Sequence, residues 1–64
     1  MPVIEVTLTQ GRSPEQLRAL ISELTQAAVH AIGAPKPSVR VILREVPRSH
    51  FAAGDQTIAE RDAA

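Results

Sequence analysis

The chain has 64 residues, and its seven Lys and Arg residues balance its seven Asp and Glu residues. A chain without net charge offers no basic field for phosphate backbones or acidic lipids, so we expect no nucleic-acid partner. It has no cysteine, and its two histidines, His30 and His50, lack the neighbouring ligand pairs of a zinc site, so we expect neither a disulfide nor a metal. A domain this short buries only about 60% of its unfolded surface, which favours self-association.

No apolar run approaches the roughly 20 residues of a membrane span, and the first residues lack the basic and apolar regions of a signal peptide. We therefore expect a cytoplasmic protein with no membrane partner. One Phe and no Trp or Tyr predict an aliphatic core. Because no linker, repeat or low-complexity segment interrupts the chain, we expect a single domain over residues 1–64.

Pro2 follows the initiator methionine, which methionine aminopeptidase normally removes when the next residue is this small. With Met1 removed, the Pro2 nitrogen is a secondary amine on a rigid ring. Amino groups of chain ends titrate at about 7.7 to 8.0, close to the working pH that proton transfer requires, so Pro2 is a candidate general base. With Met1 retained, that nitrogen is an amide without useful basicity, and Pro2 is then only a proline at the start of a strand.

The residues after Pro2 alternate between two faces, which predicts a strand over residues 2–8 with one side buried. The face expected to be buried consists of Ile4, Val6 and Leu8. A helix should follow, because Ser13 suits an N-cap, Pro14 the first helical position and Gln16 position N3. Apolar residues then recur at steps of three and four until Ile32, and Gly33 is the expected C′ residue.

The β-branched run Ser38–Val46 predicts a second strand, which Pro47 ends. Strand, helix and strand with these connections make a βαβ unit of the α/β class, so we expect two parallel strands and a right-handed crossover. Residues 48–56 are expected to form a loop or a small hairpin around Gly54, and residues 57–64 a polar tail that forms a short helical turn or frays. Two strands and one helix leave the sheet uncovered, so neighbouring copies should complete it.

Two arginines are candidate anion-binding residues. Arg40 lies in an otherwise apolar stretch, where a guanidinium group faces solvent or meets an anion at an interface. Arg12 lies in the turn after the first strand and is either a loop charge or a ligand-binding group. Taken singly, each arginine is more often a solvated charge, and their pattern with Pro2 is what suggests a site.

At their spacings, these fragments resemble the 4-oxalocrotonate tautomerase family, the short-chain members of the tautomerase superfamily. The resemblance covers nearly the whole chain. The matching fragments are Met1-Pro2 with its apolar strand, Gly11-Arg12-Ser13 with Glu15-Gln16, Ala34-Pro35, Ser38–Ile42, and Glu45 followed by His50-Phe51 and Gly54.

The resemblance implies a cofactor-independent isomerase of aromatic catabolism that interconverts the enol and keto forms of an unsaturated 2-hydroxy or 2-keto acid such as 2-hydroxymuconate. By position, Pro2 resembles the general base. Arg40 resembles the arginine that binds the 2-hydroxy or 2-keto carboxylate end, and Arg12 the one that binds the distal carboxylate and draws electron density towards it. Phe51 matches the aromatic residue that lines the pocket.

The resemblance also implies a hexamer, a trimer of βαβ dimers with active sites shared between subunits. A homohexamer is expected, and a heterohexamer with a second, similar chain stays open. Arg48 stands where relatives carry a less constrained residue, and it is either a third cation near the pocket or a solvated loop charge. The segment from Ala52 to Asp55 has fewer glycines than the hairpin usual in close relatives.

Two alternative functions remain open at this point. Hydratases and dehalogenases of the same superfamily position water with a carboxylate after the second strand, where this chain has Ala52 and Ala53, with Asp55 as the nearest acid. The other alternative is a non-catalytic subunit that keeps the fold without the chemistry, which is favoured if Met1 is retained.

Overall fold

The structure, a computed structural model, describes residues 1–63. The main elements are strand β1 (Val3–Thr9), helix α1 (Pro14–Ile32), strand β2 (Arg40–Val46), the short strands β3 (Ala52–Ala53) and β4 (Gln56–Thr57), and helix α2 (Ile58–Ala63). β1 and β2 are parallel, whereas β3 and β4 form an antiparallel hairpin. The predicted α/β class, with a βαβ unit and a short C-terminal hairpin, is confirmed. No helix in residues 1–63 is long and apolar enough to cross a membrane.

The register of β1 against β2 determines which residues share a face. Val3 lies opposite Arg40, and Thr9 lies opposite Val46. The predicted alternation is confirmed, since the even-numbered apolar side chains of β1 are half-buried while Val3, Glu5 and Thr7 are exposed. The exposed residues of β1 and the opposing Arg40, Ile42 and Arg44 of β2 form one surface, which we call the outer sheet face.

Helix α1 begins and ends at the predicted residues. The Ser13 hydroxyl accepts a hydrogen bond from the Gln16 amide at 3.1 Å, and the Gln16 side chain accepts one from the Ser13 amide at 2.9 Å. These two bonds make a capping box, which satisfies amides that have no partner within the helix. At the other end Gly33 adopts a φ of 67° and donates its amide to the Val29 carbonyl, as expected for a C-terminal glycine.

The second strand is shorter than predicted and begins at Arg40 rather than at Ser38. Residues 36–38 form a 3₁₀ turn instead. The Ser38 amide donates to the Pro35 carbonyl at 2.9 Å, and the Val39 amide donates to the Lys36 carbonyl at 3.2 Å. Because these amides are bonded within the turn, they cannot pair with β1. The β-branched residues of this segment predict a strand and do not indicate where it begins.

The C-terminal segment forms a hairpin followed by a short helix, which is one of the two outcomes expected for residues after the hairpin. Gly54 and Asp55 have φ angles of 60° and 66° at the two central positions of the hairpin turn, the geometry of a type I′ turn. A second capping box starts α2, where the Glu60 amide donates to the Thr57 hydroxyl and the Thr57 amide donates to the Glu60 carboxylate, both at 3.1 Å.

We expect the second capping box to make α2 sensitive to acid. The hydrogen bond from the Thr57 backbone, with a further one from its side chain, lowers the pKa of Glu60 below its ordinary value of 4.5. A carboxyl group whose pKa is lowered by folding stabilises the folded state above its unfolded pKa, and this contribution is lost as the pH falls through the folded pKa. We expect the amides of α2 to lose hydrogen-exchange protection below the ordinary pKa while those of α1 keep theirs.

Glu60→Gln is the control for this expectation, since glutamine also suits position N3 of a capping box but does not titrate. Its α2 amides should lose less protection than those of the wild-type protein over the same acidic range, since the only other carboxylate of α2 is Asp62, which pairs with Arg48. Equal acid sensitivity of α2 in the two proteins would contradict the assignment to Glu60.

A single copy of the chain does not enclose a core. Among residues 1–63 only Ala34 is buried, and Val3 and Ile42 on the outer sheet face are 51% and 45% exposed. The radius of gyration is 14.8 Å, whereas a compact chain of this length would have about 11 Å. The accessible surface is 4653 Å², against about 4,000 Å² for a compact monomer of this mass. The chain is thus less compact than a monomeric domain of this size, which favours packing against other chains.

Candidate active site

The parallel sheet brings the start of the chain next to Arg40. The Arg40 amide donates to the Pro2 carbonyl at 3.0 Å, extending the ladder one residue beyond β1. Pro2 is half-buried, whereas Met1 is 80% exposed. The Arg40 guanidinium donates through Nη1 to the Pro37 carbonyl at 2.7 Å, and its side chain belongs to the exposed outer sheet face. Two of the predicted site residues are therefore neighbours through the backbone.

Arg12 and Phe51 meet at the opposite end of β1. Arg12 donates through Nη1 to the Thr9 carbonyl at 2.9 Å, which fixes its side chain at the carboxyl end of the strand. A guanidinium group has five N–H donors, so most of them stay free for a ligand. A cavity of about 250 Å³, which we call the distal pocket, lies here. It is lined by Thr7, Leu8, Thr9, Arg12, Phe51 and Ile58.

One copy of the chain does not bring all the predicted residues to one point. Pro2 and Arg40 lie at the amino end of β1, and Arg12 and Phe51 lie at its carboxyl end. β1 has seven residues, and at a rise of about 3.3 Å per residue its ends are roughly 20 Å apart. A six-carbon diacid is much shorter than this separation, so a substrate that touches both groups must lie between different copies.

A larger concavity, of about 590 Å³, lies along α1. Its lining residues are Pro14, Glu15, Arg18, Ala19 and Ser22, which all belong to this one helix. A surface formed by a single helix does not enclose a small molecule, and none of the predicted site residues lies there. The smaller distal pocket is therefore the better candidate for substrate binding.

Arg48 is exposed to solvent, as one of the two roles considered for it from the sequence requires, and it has a partner within the chain. Its guanidinium forms an ion pair with the Asp62 carboxylate of α2, and both side chains are about half exposed. Arg48 therefore ties α2 to the turn at residues 48–50 and does not line the distal pocket. Asp55 lies exposed in the hairpin turn and does not line the distal pocket.

Ile58 is a pocket residue that sequence reasoning missed. It is half-buried, it is the first residue of α2, and it lines the distal pocket with Phe51. The pattern Thr57-x-x-Glu60 is a capping-box signature that predicts a helix starting at residue 58. That signal would have placed an apolar residue at a defined position next to the hairpin, instead of within a polar tail.

Comparison with known proteins agrees with this architecture. The family model described as tautomerase enzyme matches residues 2–61. A probable tautomerase of Ralstonia nicotianae is 59% identical over 51 residues, covering 80% of this chain and 73% of that protein. A 2-hydroxymuconate tautomerase of Stutzerimonas stutzeri is 40% identical over 57 residues, covering 89% of this chain and 90% of that protein.

Solved structures extend the agreement to the fold. TomN, a 4-oxalocrotonate tautomerase homologue in the tomaymycin biosynthetic pathway, is 44% identical with a TM-score of 0.96, over 98% of this chain and 97% of its own. A heterohexamer 4-oxalocrotonate tautomerase from Chloroflexus aurantiacus is 38% identical with a TM-score of 0.90, over 94% of this chain and 97% of its own.

Fold, site and relatives together define a small isomerase of the tautomerase class. The chain belongs to the tautomerase family, in its 4-oxalocrotonate tautomerase branch. The family predicted from the sequence is confirmed.

Proposed function

We propose that this chain is a cofactor-independent tautomerase that interconverts the enol and keto forms of an unsaturated 2-hydroxy or 2-keto acid such as 2-hydroxymuconate. The general base is the Pro2 nitrogen, freed by removal of Met1. The observation that carries the proposal is the placement of the chain start beside Arg40, together with a pocket that holds Arg12 and Phe51. Relatives named 2-hydroxymuconate tautomerase support the substrate class.

The proposed residues suit the reaction on electrostatic grounds. Removing a proton next to a conjugated carbonyl builds negative charge into a dienolate, and guanidinium groups already placed at its oxygens stabilise that charge most where water is excluded. Arg40 is proposed to bind the carboxylate next to the reacting carbon, and Arg12 the distal carboxylate. Two-point binding by arginines also holds the reacting carbon against the base, which lowers the entropic part of the barrier.

The proposed active unit is a homohexamer. Because the two groups of site residues lie at opposite ends of β1, an assembly must bring the Arg12 and Phe51 pocket of one copy to the chain start of another. A homohexamer suffices, since each chain carries both groups. The exposed Val3 and Ile42 of the outer sheet face provide apolar surface for the contact. The related heterohexamer from Chloroflexus aurantiacus supports assemblies of this order.

Replacing Ile42 with glutamate should disrupt this assembly. The change puts a carboxylate at the centre of the outer sheet face, and burying an unpaired charge in an interface costs several kcal/mol. We expect native mass spectrometry to show a hexamer for the wild-type protein and mainly smaller species for Ile42→Glu, with tautomerase activity lost in parallel.

Gln26→Glu is the matched control, because it adds a carboxylate at an exposed position of α1. It should leave the hexamer and its activity unchanged. A wild-type protein that is a folded, active monomer would contradict the shared site, as would an Ile42→Glu variant that still forms hexamers.

The ketonisation of 2-hydroxymuconate, followed by ultraviolet absorbance, tests the proposed function directly. The wild-type protein, with removal of Met1 established by intact-mass measurement, is compared with Pro2→Ala. Indistinguishable rates for the two proteins would refute Pro2 as the base.

A further inference from the structure

We propose that Ile58 is a specificity-determining residue, which forms the apolar wall of the distal pocket that receives the end of the substrate farthest from the reacting carboxylate. The inference rests on the proposed tautomerase function and assigns to α2, through its first residue, a direct role in substrate choice.

The composition of the distal pocket gives the first argument. Leu8, Phe51 and Ile58 supply apolar surface, while Arg12 supplies the only charged side chain among the lining residues. A cation beside an apolar wall can accept two kinds of distal group. A carboxylate binds the free N–H donors of Arg12, whereas an uncharged hydrocarbon group depends on contact with the apolar side chains.

The fixed position of Ile58 gives the second argument. Its amide donates to the Phe51 carbonyl at 2.8 Å, so that the backbones of two pocket residues are bonded to each other. The capping box of Thr57 and Glu60 sets the direction in which α2 leaves the hairpin. The ion pair between Arg48 and Asp62 connects the other end of α2 to the residues before Phe51. A pocket wall that is held at several points can discriminate between substrates of different shape, because it does not move to accommodate the wrong one.

The size of the expected effect follows from the chemistry of apolar pockets. One methylene group in an enclosed pocket changes selectivity by about 10- to 200-fold. Ile58 is only half-buried, so the loss of its three outer carbons should have an effect near the lower end, about tenfold. The loss should fall on substrates with an uncharged distal group, since those with a distal carboxylate keep their contact with Arg12.

The experiment compares phenylenolpyruvate, whose distal end is a phenyl ring, with 2-hydroxymuconate, whose distal end is a carboxylate. For Ile58→Ala we expect the ratio of kcat/KM for phenylenolpyruvate to that for 2-hydroxymuconate to fall about tenfold, mainly through a higher KM for phenylenolpyruvate. Ile58→Leu, which keeps the apolar volume, should preserve the ratio within about twofold. Ile32→Ala is the matched control, since Ile32 is 69% exposed at the end of α1 and does not line the distal pocket.

Native mass spectrometry accompanies each assay, so that loss of assembly is not mistaken for loss of selectivity. If Ile58→Ala does not assemble, Ile58→Val takes its place with an expected fall in the ratio of about threefold. An unchanged ratio in an assembled, active variant would overturn the inference and leave the proposed function standing. Equal rates of the wild-type protein and Pro2→Ala on both substrates would overturn the proposed function and, with it, the inference.

Discussion

Replacing Pro2 with alanine is expected to lower kcat/KM for 2-hydroxymuconate by about 10²- to 10⁴-fold, the usual contribution of a positioned general base. The variant still begins with an amino group once Met1 is removed, but that group is a primary amine on a freely rotating carbon. The proline ring fixes the direction of its nitrogen, and Pro2 is held further by the hydrogen bond from Arg40 to its carbonyl. The loss should therefore appear mainly in kcat, since substrate binding by the arginines is unchanged.

Pro14→Ala is the matched control, because Pro14 is an exposed first residue of α1 and does not line the distal pocket. It should retain wild-type kinetics within about twofold. Protein that retains Met1, identified by its intact mass, should be at least as inactive as Pro2→Ala, since its Pro2 nitrogen is an amide. Full activity of the protein with Met1 attached would contradict the proposed role of Pro2.

Replacing Arg40 with alanine is expected to damage both binding and turnover. Arg40 is proposed to hold the carboxylate next to the reacting carbon and to stabilise charge that develops on the neighbouring oxygen. Removing one preorganised donor of this kind usually costs about 10²- to 10³-fold in kcat. We expect a loss of this size in kcat together with a raised KM, for 2-hydroxymuconate and phenylenolpyruvate alike.

Arg12→Ala should behave differently, because Arg12 is proposed to bind only a distal carboxylate. Its kcat/KM should fall for 2-hydroxymuconate and stay close to wild type for phenylenolpyruvate. Arg18→Ala, on the exposed surface of α1, controls for the loss of a positive charge and should match the wild type on both substrates. Equal losses of Arg12→Ala on the two substrates would contradict this division of roles.

The sequence was sufficient for the elements whose signals are local. The capping residues of α1 are side chains within one turn of the positions they cap, so Ser13, Gln16 and Gly33 could be assigned without tertiary information. The faces of β1 followed from alternation, because successive side chains of a strand point to opposite sides. The glycine at position 54 predicted a loop or a hairpin, and the type I′ geometry at Gly54 and Asp55 selects the hairpin.

The features that escaped prediction depend on contacts that residue type and periodicity do not reveal. The partner of Arg48 could not be found from the sequence, because the direction of α2 decides which carboxylate comes within reach. The β-branched residues after Ser38 predict a strand that includes it. In the structure, the carbonyls of Pro35 and Lys36 accept hydrogen bonds from the amides of residues 38 and 39 instead. Ile58 was not predicted to line the distal pocket, because the sequence pattern does not show that the residue after Thr57 lies next to Phe51.

The separation of the two residue groups along β1 has a consequence for how such a protein evolves after gene duplication. In the proposed assembly, a copy with a lesion at the amino end of the strand and a copy with a lesion at its carboxyl end still form some intact catalytic centres, because each centre combines the amino end of one copy with the carboxyl end of another. Two defective gene duplicates can therefore complement each other when their products mix. Each duplicate can then lose the group of site residues that the other supplies. One gene would in this way give rise to two genes whose products are active only as a hetero-oligomer.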